Sequence, residues 1–435
     1  MNISDSFCVT PVSELNATII APGDKSISHR SVLLNSIAIG NAQIEGFVNG
    51  EDCLSTIKIL QQLGCEIEQK NSESSNTLKI KGLGLYGYTE PEDILNAGNS
   101  GTTVRLLSGL LSGRNFISII TGDSSLRKRP MKRIIDPMIE MGAIIDGRDK
   151  NNKLPIVFNG GNLHGIKYKM PVASAQLKSS LLLAGLRSKG KTEIIQPGTS
   201  RNHTELMLEA MGAKIETNDK TITIHPTSKI NAIDMIIPGD ISSASFWFIA
   251  GICHPKADLL IKNVGINKTR SGILKILNSM SARVEIINQR NISGEDVADI
   301  NVKSSQLKSN VIEGDIVPYL IDEIPVLCVA AAMAEGTTVI KDAKELRFKE
   351  TNRIDTTINW LKNAGINCDT TDDGMIIEGS GKIQGGEFNS FGDHRIAMSI
   401  GIAGLFSDKP ITVHGSKSVD ISYPNFWKEI NTISK

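Results

Sequence analysis

Apolar helices that follow short polar or glycine-containing turns recur along the chain. Small polar residues of these turns can satisfy the first amides of a helix, and the apolar run behind them favours a buried helix. The interval of roughly 70–80 residues indicates a large repeated unit. The six predicted helix starts lie near Asp24, Asn99, Ser174, Asp240, Asp322 and Asp393.

A second element repeats between these helices: an amphipathic helix that ends at a glycine and leads into a strand. Glycine accepts the left-handed backbone conformation with which many helices end, although one copy has Ser281 in its place. Six copies of a helix-and-strand unit predict an α/β protein of two domains with three units each. The second element is seen at residues 60–68, 138–145, 207–216, 277–285 and 360–366.

The composition argues against nucleic acid or a membrane as a partner. Lys plus Arg and Asp plus Glu both number 47, so the formal net charge is zero, and bulk charge does not favour nucleic-acid binding. Aromatic residues make up only 4% of the chain, which leaves little for base stacking. No apolar run reaches the length of a membrane span, so we expect a soluble protein.

Cysteine and glycine patterns narrow the chemistry further. The six cysteines form no C-x-x-C pair and no signal peptide is recognisable, so we predict free thiols and a cytoplasmic location. No His, Glu or Cys spacing suits zinc. The segment Gly82-Leu-Gly-Leu-Tyr-Gly87 has the spacing of a dinucleotide-binding turn, but no helical pattern follows it, so we reject a dinucleotide. The polar run 70–76 is typical of a hairpin or surface loop between two strands.

The segment Pro22-Gly-Asp-Lys-Ser-Ile-Ser-His-Arg30 has the features of an anion site. Pro-Gly predicts a tight turn before a helix, whose outward-facing first amides and positive dipole end favour an anion. Lys25 lies in this turn, and Arg30 lies four residues after Ser26 on the same helical face. We therefore predict a bound phosphate or carboxylate; the alternative is a capped helix with two solvated cations.

Two further segments supply groups that suit an anion. In Asn99-Ser-Gly-Thr-Thr-Val-Arg105, Gly101 lets the backbone approach a ligand closely, and a buried helix start is the alternative. In Arg127-Lys-Arg-Pro130, Arg129 is stiffened by the following proline and suits a forked contact with a carboxylate or phosphate. The alternative for this basic loop is a solvated surface.

Six ordered motifs resemble those of the 3-phosphoshikimate 1-carboxyvinyltransferase family of enolpyruvyl transferases, also called 5-enolpyruvylshikimate-3-phosphate (EPSP) synthases. The motifs span nearly the whole chain: Pro22–Arg30, Asn99–Thr102, Arg129-Pro130, Ser174-Ala-Gln176, Lys349-Glu-Thr-Asn-Arg353 and Asp393-His-Arg395. The resemblance implies transfer of the enolpyruvyl group of phosphoenolpyruvate to the 5-hydroxyl of 3-phosphoshikimate. Phosphate would leave through a tetrahedral ketal, without a metal or other cofactor, as a step of chorismate and aromatic amino acid biosynthesis.

The same resemblance implies an architecture. Two similar domains, each of three βαβαββ-type repeats arranged as an inside-out α/β barrel, would hold the active site in the cleft between them. The N-terminal domain would be residues 21–239, and residues 1–20 with 240–435 would form the C-terminal domain. Hinges are expected near residues 20–22 and 238–240, and the protein is expected to be a monomer.

Residue roles also follow from the resemblance. The catalytic residues would be Asp322, Glu350 and Lys25, with Asp322 as the base for the attacking hydroxyl. 3-Phosphoshikimate would be held by Lys25, Ser26, Arg30, Ser174, Gln176, Arg201, Asp322 and Lys349. Phosphoenolpyruvate would be held by Lys25, Gly101, Arg129, Gln176, Arg353 and Arg395.

Several of these residues have structural alternatives. Ser174 and Asp322 could be helix N-caps, and Glu350 with Arg353 could form an exposed intrahelical pair. Because Asp322 and Glu323 are adjacent, both cannot face the same ligand from a helix.

The last motif combines a cap with two exposed side chains. Asp393 is predicted to cap a helix that begins at Ile396. His394 and Arg395 are then expected to present their side chains to the cleft.

Three positions depart from the family pattern. Ala175 stands where many members have a second Ser, and Arg201 is the expected substitute ligand for the phosphate. Ile421 stands where some members carry a phosphoenolpyruvate-binding Lys, and Leu106 where some have Pro. Because Gly101 leaves room that an Ala would fill, we expect sensitivity to glyphosate.

Three other functions remain as alternatives. The enolpyruvyl transferases that act on UDP-N-acetylglucosamine usually carry a catalytic Cys in a loop with a conserved Arg, and the loop Gly122–Pro130 has none. A nucleic-acid end-processing cyclase would use a nucleophilic His such as His414, but the neutral charge and few aromatics disfavour it. A non-catalytic phosphosugar-binding protein would need the cations but not Asp322 and Glu350.

Overall fold

The repeated sequence pattern corresponds to six copies of one structural unit in the computed structural model, which describes residues 5–71 and 76–433. In a full copy, a buried helix leads into a strand, a second helix and two further strands. The helices are α1 (Lys25–Ser36), α2 (Glu51–Gln62), α3 (Gly101–Leu111), α4 (Lys132–Glu140), α5 (Arg148–Asn151, a single turn), α6 (Ala175–Gly185), α7 (His203–Ala210), α8 (Ile241–Cys253), α9 (Gly272–Ser279), α10 (Ile324–Met333), α11 (Arg353–Asn363), α12 (His394–Gly404) and α13 (Phe426–Ile433).

The strands are short and lie between these helices. Four 3-10 turns, at Leu126–Lys128, Gly314–Tyr319, Lys344–Phe348 and Ser416–Ile421, complete the described elements. The strands are β1 (Ser6–Val9), β2 (Leu15–Ile20), β3 (Ile39–Glu45), β4 (Glu66–Asn71), β5 (Asn76–Leu83), β6 (Leu95–Asn96), β7 (Ile117–Thr121), β8 (Ala143–Gly147), β9 (Lys153–Gly161), β10 (Lys167–Lys169), β11 (Thr192–Ile195), β12 (Ile215–Asn218), β13 (Thr221–Ile224), β14 (Met235–Ile236), β15 (Ala257–Gly265), β16 (Arg283–Ile292), β17 (Glu295–Lys303), β18 (Val311–Ile312), β19 (Gly336–Ile340), β20 (Asn367–Thr370), β21 (Met375–Gly379), β22 (Gly386–Asn389) and β23 (Ile411–His414).

Contacts divide the chain into two compact units. The central unit is Gly23–Ile237, and the terminal unit comprises the described residues up to Pro22 and from Pro238 onward. The central unit holds the sheets β14-β3-β5-β4, β6-β7-β9-β8 and β10-β11-β13-β12. The terminal unit holds β16-β17-β15-β2, β18-β19-β21-β20 and β1-β23-β22. Each unit also encloses its own hydrophobic core.

One pairing pattern is shared by the four-stranded sheets. In the sheet of β6 to β9, for example, β9 is antiparallel to β7 and β8, and β6 is parallel to β7. A parallel pair needs a crossover, and the buried helix α3 supplies it between β6 and β7. The α/β architecture with three similar repeats in each unit, predicted from the sequence, is therefore confirmed.

The predicted starts of the buried helices are confirmed, with two corrections. Asp24, Ser100, Ser174, Asp240 and Asp393 each accept a hydrogen bond from a backbone amide in the first turn of their helix. The cap before α10 is Glu323, without a side-chain bond to the helix, so the interpretation of Asp322 as an N-cap is wrong. Asp393 does cap α12, but that helix begins at His394 and not at Ile396.

The glycine-type helix ends are also confirmed. Gly64, Gly142, Gly212 and Gly365 have φ of 93°, 97°, 92° and 84°. Ser281 takes the same place with φ 63°, which costs a residue with a Cβ atom more than it costs glycine. The left-handed backbone conformation at this position therefore belongs to the repeated unit, and Ser281 adopts it despite its Cβ atom.

Other predictions concern motifs outside the repeat. No helix follows residues 82–87 before α3 begins at Gly101, which agrees with rejecting a dinucleotide-binding turn. The six cysteines are free, as predicted. Part of the predicted hairpin loop, residues 72–75, lies outside the described residues. Within the described part of the chain, no helix has the length and apolar character needed to cross a membrane.

Candidate active site

The first turn of α1 carries the ammonium group of Lys25. Asp24 caps the helix by accepting from the Ile27 amide at 2.8 Å, and Lys25 is the first helical residue. The Lys25 Nζ lies 2.5 Å from Asp52 Oδ2, with 18% and 8% of the two side chains exposed. Asp52 lies in the first turn of α2 and was not singled out from the sequence, because only the fold brings it to Lys25.

Arg30 is buried and bonded on three sides. Only 3% of the residue is exposed, and its Nη1 donates to the Ser26 carbonyl at 3.0 Å. Its Nε donates to Thr204 Oγ1 at 2.7 Å and its Nη2 to Ser179 Oγ at 2.9 Å. The alternative of two solvated cations is therefore wrong for Arg30, which joins α1 to α6 and α7.

Two more of the predicted phosphate ligands lie on neighbouring elements of the central unit. Arg201 Nη1 lies 3.3 Å from Ser26 Oγ, so the structure brings Arg201 to the start of α1 as expected. Ser174 is 6% exposed and caps α6 by accepting from the Leu177 amide at 3.4 Å. The structural alternative for Ser174 is thus present, and because the cap uses the oxygen as an acceptor, its hydroxyl hydrogen can still donate to an anion.

The start of α3 is lined by two arginines. An ideal Cβ added to Gly101 would lie 2.8 Å from Arg105 Nη1 and 3.4 Å from Arg129 Nη1. Arg129 Nη2 donates to Asn99 Oδ1 at 2.5 Å, and Arg129 is only 9% exposed. The solvated-surface alternative is therefore wrong for Arg129.

Gln176 connects α6 to α3. Its Oε1 accepts from Arg105 Nη1 at 2.9 Å and its Nε2 donates to Thr102 Oγ1 at 3.1 Å. Arg105 received no role from the sequence, although its place four residues after Gly101 puts both on one helical face. That spacing was the signal that could have identified it.

A chain of buried hydrogen bonds lies beneath these two helix starts. His29 Nδ1 lies 2.8 Å from Thr56 Oγ1, which lies 2.6 Å from Thr103 Oγ1. Thr103 Oγ1 in turn donates to Ser100 Oγ at 2.7 Å. Burial, together with the charges of Lys25 and Arg30, lowers the pKa of His29 well below its usual value, so this histidine remains neutral and links α1, α2 and α3.

A second cluster, in the terminal unit, centres on Arg353 at the start of α11. Arg353 Nε donates to Asp393 Oδ2 at 2.8 Å and its Nη2 to Glu350 Oε2 at 2.5 Å. Its Nη1 lies 3.5 Å from Asp322 Oδ1. Burial opposes the charge of Arg353, but these carboxylates outweigh it and raise the pKa of the guanidinium.

The alternative of an exposed intrahelical pair is wrong for Glu350 and Arg353. Asn352 caps α11, so Glu350 lies before the helix. The side chains of Glu350 and Arg353 are 17% and 2% exposed. We refer to Asp322, Lys349, Glu350, Arg353, Asp393 and Arg395 as the Arg353 cluster.

Two further cations of the Arg353 cluster, besides Arg353 itself, contact Asp322. Lys349 Nζ donates to Asp322 Oδ1 at 3.3 Å, and Arg395 Nη1 donates to the Asp322 carbonyl at 3.1 Å. The neighbouring Glu323 is fully buried and accepts from Ser242 Oγ. The two adjacent acids therefore have different surroundings, as predicted.

His394 does not present its side chain as expected. It is 2% exposed, whereas Arg395 beside it is half-buried. Ile421 ends a 3-10 turn and brings no charge to this loop.

Each cluster suits a different part of a reaction between anions. The central unit concentrates Lys25, Arg30, Arg105, Arg129 and Arg201 at helix starts, an arrangement that binds phosphates and carboxylates. The Arg353 cluster combines two partly exposed carboxylates, those of Asp322 and Glu350, with cations, an arrangement that can move protons near bound anions. Within residues 5–71 and 76–433, no group of three or more His, Cys, Asp or Glu side chains could hold a metal ion.

Comparison with known proteins gives relatives along the whole chain. A 3-phosphoshikimate 1-carboxyvinyltransferase of Shouchella clausii is 48% identical over 421 residues, which cover 97% of each chain. One of Geobacter sulfurreducens is 48% identical over 424 residues, which cover 98% of each chain.

Solved structures show the same similarity. An EPSP synthase of Acinetobacter baumannii superposes with a TM-score of 0.87 at 42% identity and covers 99% of this chain and 98% of its own. The enolpyruvyl transferase NikO of Streptomyces tendae has a TM-score of 0.78 over 99% of this chain and 97% of its own, at 17% identity. This last likeness shows the fold alone.

The family model for EPSP synthase (3-phosphoshikimate 1-carboxyvinyltransferase) matches residues 9–430. The match covers nearly the whole chain and includes all six motifs. The prediction of a transferase of this kind is confirmed, and the chain belongs to the EPSP synthase family.

Proposed function

We propose that this chain transfers the enolpyruvyl group of phosphoenolpyruvate to the 5-hydroxyl of 3-phosphoshikimate and releases phosphate. Family membership over the whole chain supports this function. The observation that carries it beyond simple binding is the position of Asp322, whose Oδ1 lies 3.3 Å from Lys349 Nζ and 3.5 Å from Arg353 Nη1. A carboxylate fixed among these cations is a candidate general base, a group that a phosphosugar-binding protein does not require.

The anionic groups of the substrates account for the cations. The phosphate of 3-phosphoshikimate is proposed to lie at the starts of α1 and α6, where amides, hydroxyls and charge converge. Arg30 contributes its charge and holds the Ser26 carbonyl. The proposed contacts to this substrate are Lys25, Ser26, Arg30, Ser174, Gln176, Arg201, Asp322 and Lys349.

Phosphoenolpyruvate is proposed to lie at the start of α3, where Gly101 leaves space in front of two arginines. Its phosphate and carboxylate suit the forked geometry of guanidinium groups. The proposed contacts are Lys25, Gly101, Arg129, Gln176, Arg353 and Arg395, and the geometry adds Arg105 through its bond to Gln176.

The proposed chemistry uses only protein side chains. Asp322 takes the proton of the 5-hydroxyl while the oxygen of that hydroxyl bonds to C2 of phosphoenolpyruvate. Glu350 or Lys25 delivers a proton to the methylene carbon. The tetrahedral ketal then loses phosphate as a methyl proton returns to the protein, which restores the carbon–carbon double bond. Preorganised positive charge stabilises the anions during both steps.

The proposal extends to the organisation of the chain. The central and terminal units are proposed to be two domains with hinges near residues 20–22 and 238–240. Both clusters are proposed to act on one pair of substrates, with the protein working as a monomer.

Phosphate release from phosphoenolpyruvate, measured with and without 3-phosphoshikimate, tests the function. We expect release to require 3-phosphoshikimate and to slow by about 10²–10⁴-fold in Asp322→Ala, the usual contribution of a general base. The matched control is Asp369→Ala, because the Asp369 side chain is 75% exposed and pairs only with Lys362 among the ion pairs of the described residues.

Other outcomes would replace the proposal. Tight binding of 3-phosphoshikimate without any phosphate release would favour the non-catalytic phosphosugar-binding alternative. Release that depends on UDP-N-acetylglucosamine would favour the other enolpyruvyl transferase.

A further inference from the structure

A buried ion pair in the central unit has no part in the reaction described above. Lys178, on α6, and Glu205, on α7, lie with Nζ and Oε1 2.5 Å apart, and their side chains are 1% and 7% exposed. Lys178 Nζ also donates to the Ser200 carbonyl at 3.1 Å. The pair therefore ties together two helices and the segment that joins β11 to α7.

Both members of the pair are linked to residues that contact α1. Ser200 directly precedes Arg201, whose Nη1 lies 3.3 Å from Ser26 Oγ. Thr204 directly precedes Glu205, and its hydroxyl accepts from Arg30 Nε at 2.7 Å.

A third link runs through the residue after Lys178. Ser179 Oγ accepts from Arg30 Nη2 at 2.9 Å and lies 2.7 Å from Thr204 Oγ1. Lys178 and Glu205 are thus the sequence neighbours of the two residues that bond to Arg30, and Lys178 also holds the carbonyl of the residue before Arg201.

The pair is costly to keep, which argues for a role other than stability. Burial lowers the pKa of Lys178, and Glu205 raises it in opposition. Buried ion pairs are often no more stabilising than apolar residues of the same size, and their best-attested use is to impose one specific arrangement. Glu205 Oε2 is buried without a hydrogen-bond partner among the described residues, so the pair is not optimised for stability alone.

We propose that Lys178 and Glu205 are positioning residues that hold Arg201 and Arg30 in place for the phosphate of 3-phosphoshikimate. The pair thereby sets the preference for the phosphorylated acceptor over shikimate itself. This inference rests on the proposed function, since it concerns the phosphate site of the same substrate.

The test removes both charges together. In Lys178→Met/Glu205→Leu neither buried charge is left unpaired, so the protein is expected to fold. Calorimetry should show 3-phosphoshikimate binding about tenfold more weakly, because charge-assisted hydrogen bonds to its phosphate are misdirected. Shikimate, which lacks this phosphate, should keep its affinity to within about twofold, as should the KM for phosphoenolpyruvate.

A matched control replaces an exposed pair of the same unit. Lys81 and Glu66 lie 3.0 Å apart with 61% and 70% of their side chains exposed. Lys81→Met/Glu66→Leu should leave the affinities for both acceptors unchanged.

The ratio of the two acceptor affinities decides the outcome. An unchanged ratio would overturn the inference, whether both affinities stay the same or both weaken by the same factor. If the double variant does not fold, Lys178→Gln/Glu205→Gln provides the same ratio, because it again removes both charges together and its two amides can still hydrogen-bond to each other.

Failure of the proposed function gives a different result. A wild-type protein that does not bind 3-phosphoshikimate overturns both proposals. A wild-type protein that binds and turns over this substrate, with an unchanged ratio in the variants, overturns only the positioning role.

Discussion

Asp393 binds Arg353 and caps α12 with the same carboxylate. Its Oδ2 accepts from Arg353 Nε at 2.8 Å, and its Oδ1 accepts from the Arg395 amide at 2.9 Å. The side chains of Arg353 and Asp393 are 2% and 0% exposed. The starts of α11 and α12 are therefore joined by one buried charge pair.

Replacing Asp393 with Asn should destabilise the protein although the helix cap is kept. Asparagine is as good an N-cap as aspartate, but the buried guanidinium of Arg353 loses its principal charge partner. We expect the free energy of unfolding to fall by about 2–4 kcal/mol, measured by urea denaturation. Asp369→Asn, at an exposed ion pair, is the control; an equally small loss in both variants would contradict the assignment.

Gly101→Ala should weaken phosphoenolpyruvate binding selectively. The new Cβ would lie 2.8 Å from Arg105 Nη1, closer than a normal contact, so the guanidinium must move away. We expect the KM for phosphoenolpyruvate to rise about tenfold, the cost of one misdirected charge-assisted bond. The Kd for 3-phosphoshikimate should change by less than about twofold, and equal effects on both substrates would argue against this placement.

The same glycine bears on glyphosate. We expect the wild-type protein to be inhibited in competition with phosphoenolpyruvate, and Gly101→Ala to need more inhibitor, because the methyl group fills space in front of Arg105 and Arg129. A glyphosate titration that shows no competition in the wild type would refute the expectation of sensitivity.

Ser281→Gly should stabilise the terminal unit. Ser281 has φ 63° and is exposed, so glycine relieves backbone strain without removing packing. After allowing for the greater freedom of glycine in the unfolded chain, we expect a gain of about 0.5–1 kcal/mol.

A matched reciprocal change is available in the other unit. Gly212 occupies the equivalent position with φ 92°, and the nearest atom to an added Cβ is 3.6 Å away. Gly212→Ser should therefore cost about 1 kcal/mol through strain alone. Thermal or urea unfolding of both variants checks the pair, and a loss on Ser281→Gly would show that the serine side chain makes a compensating contact.

Glu429 should make stability depend on pH. Burial raises the pKa of Glu429 from 4.5 to about 7, although the Tyr423 hydroxyl that donates to it acts in the opposite direction. The folded protein therefore keeps a proton that the unfolded chain releases, so this contribution is fully present below the unfolded pKa and is lost as pH rises through about 7.

Glu429→Gln removes this dependence because glutamine stays neutral at every pH. We expect the variant to be more stable than the wild type by about 1–2 kcal/mol at about pH 8, and equally stable near pH 4.5. Denaturant unfolding across this range measures the difference; parallel curves for the two proteins would exclude Glu429 as the titrating group.

The repeat, the helix starts and the helix ends could all be predicted from short segments. Caps such as Asp24 and Ser174 act on amides within one turn, and a left-handed position such as Gly142 is a property of a single residue. The prediction of a boundary failed by two residues at Ile396 and by one at the cap before α10, because capping and fraying leave the exact end open to local competition.

Local pattern and ordered motifs in the chain are enough to predict the family, the α/β repeat and the residue types that we propose to bind the anions. Which charges are buried, and which groups they contact, depends on the tertiary structure. Arg30 and Arg353 look like surface cations in the chain, yet Thr204 and Asp393, distant in sequence, enclose them. Burial and pairing depend on which segments the fold brings together, and no spacing along the chain encodes the partner of a buried charge such as Lys178.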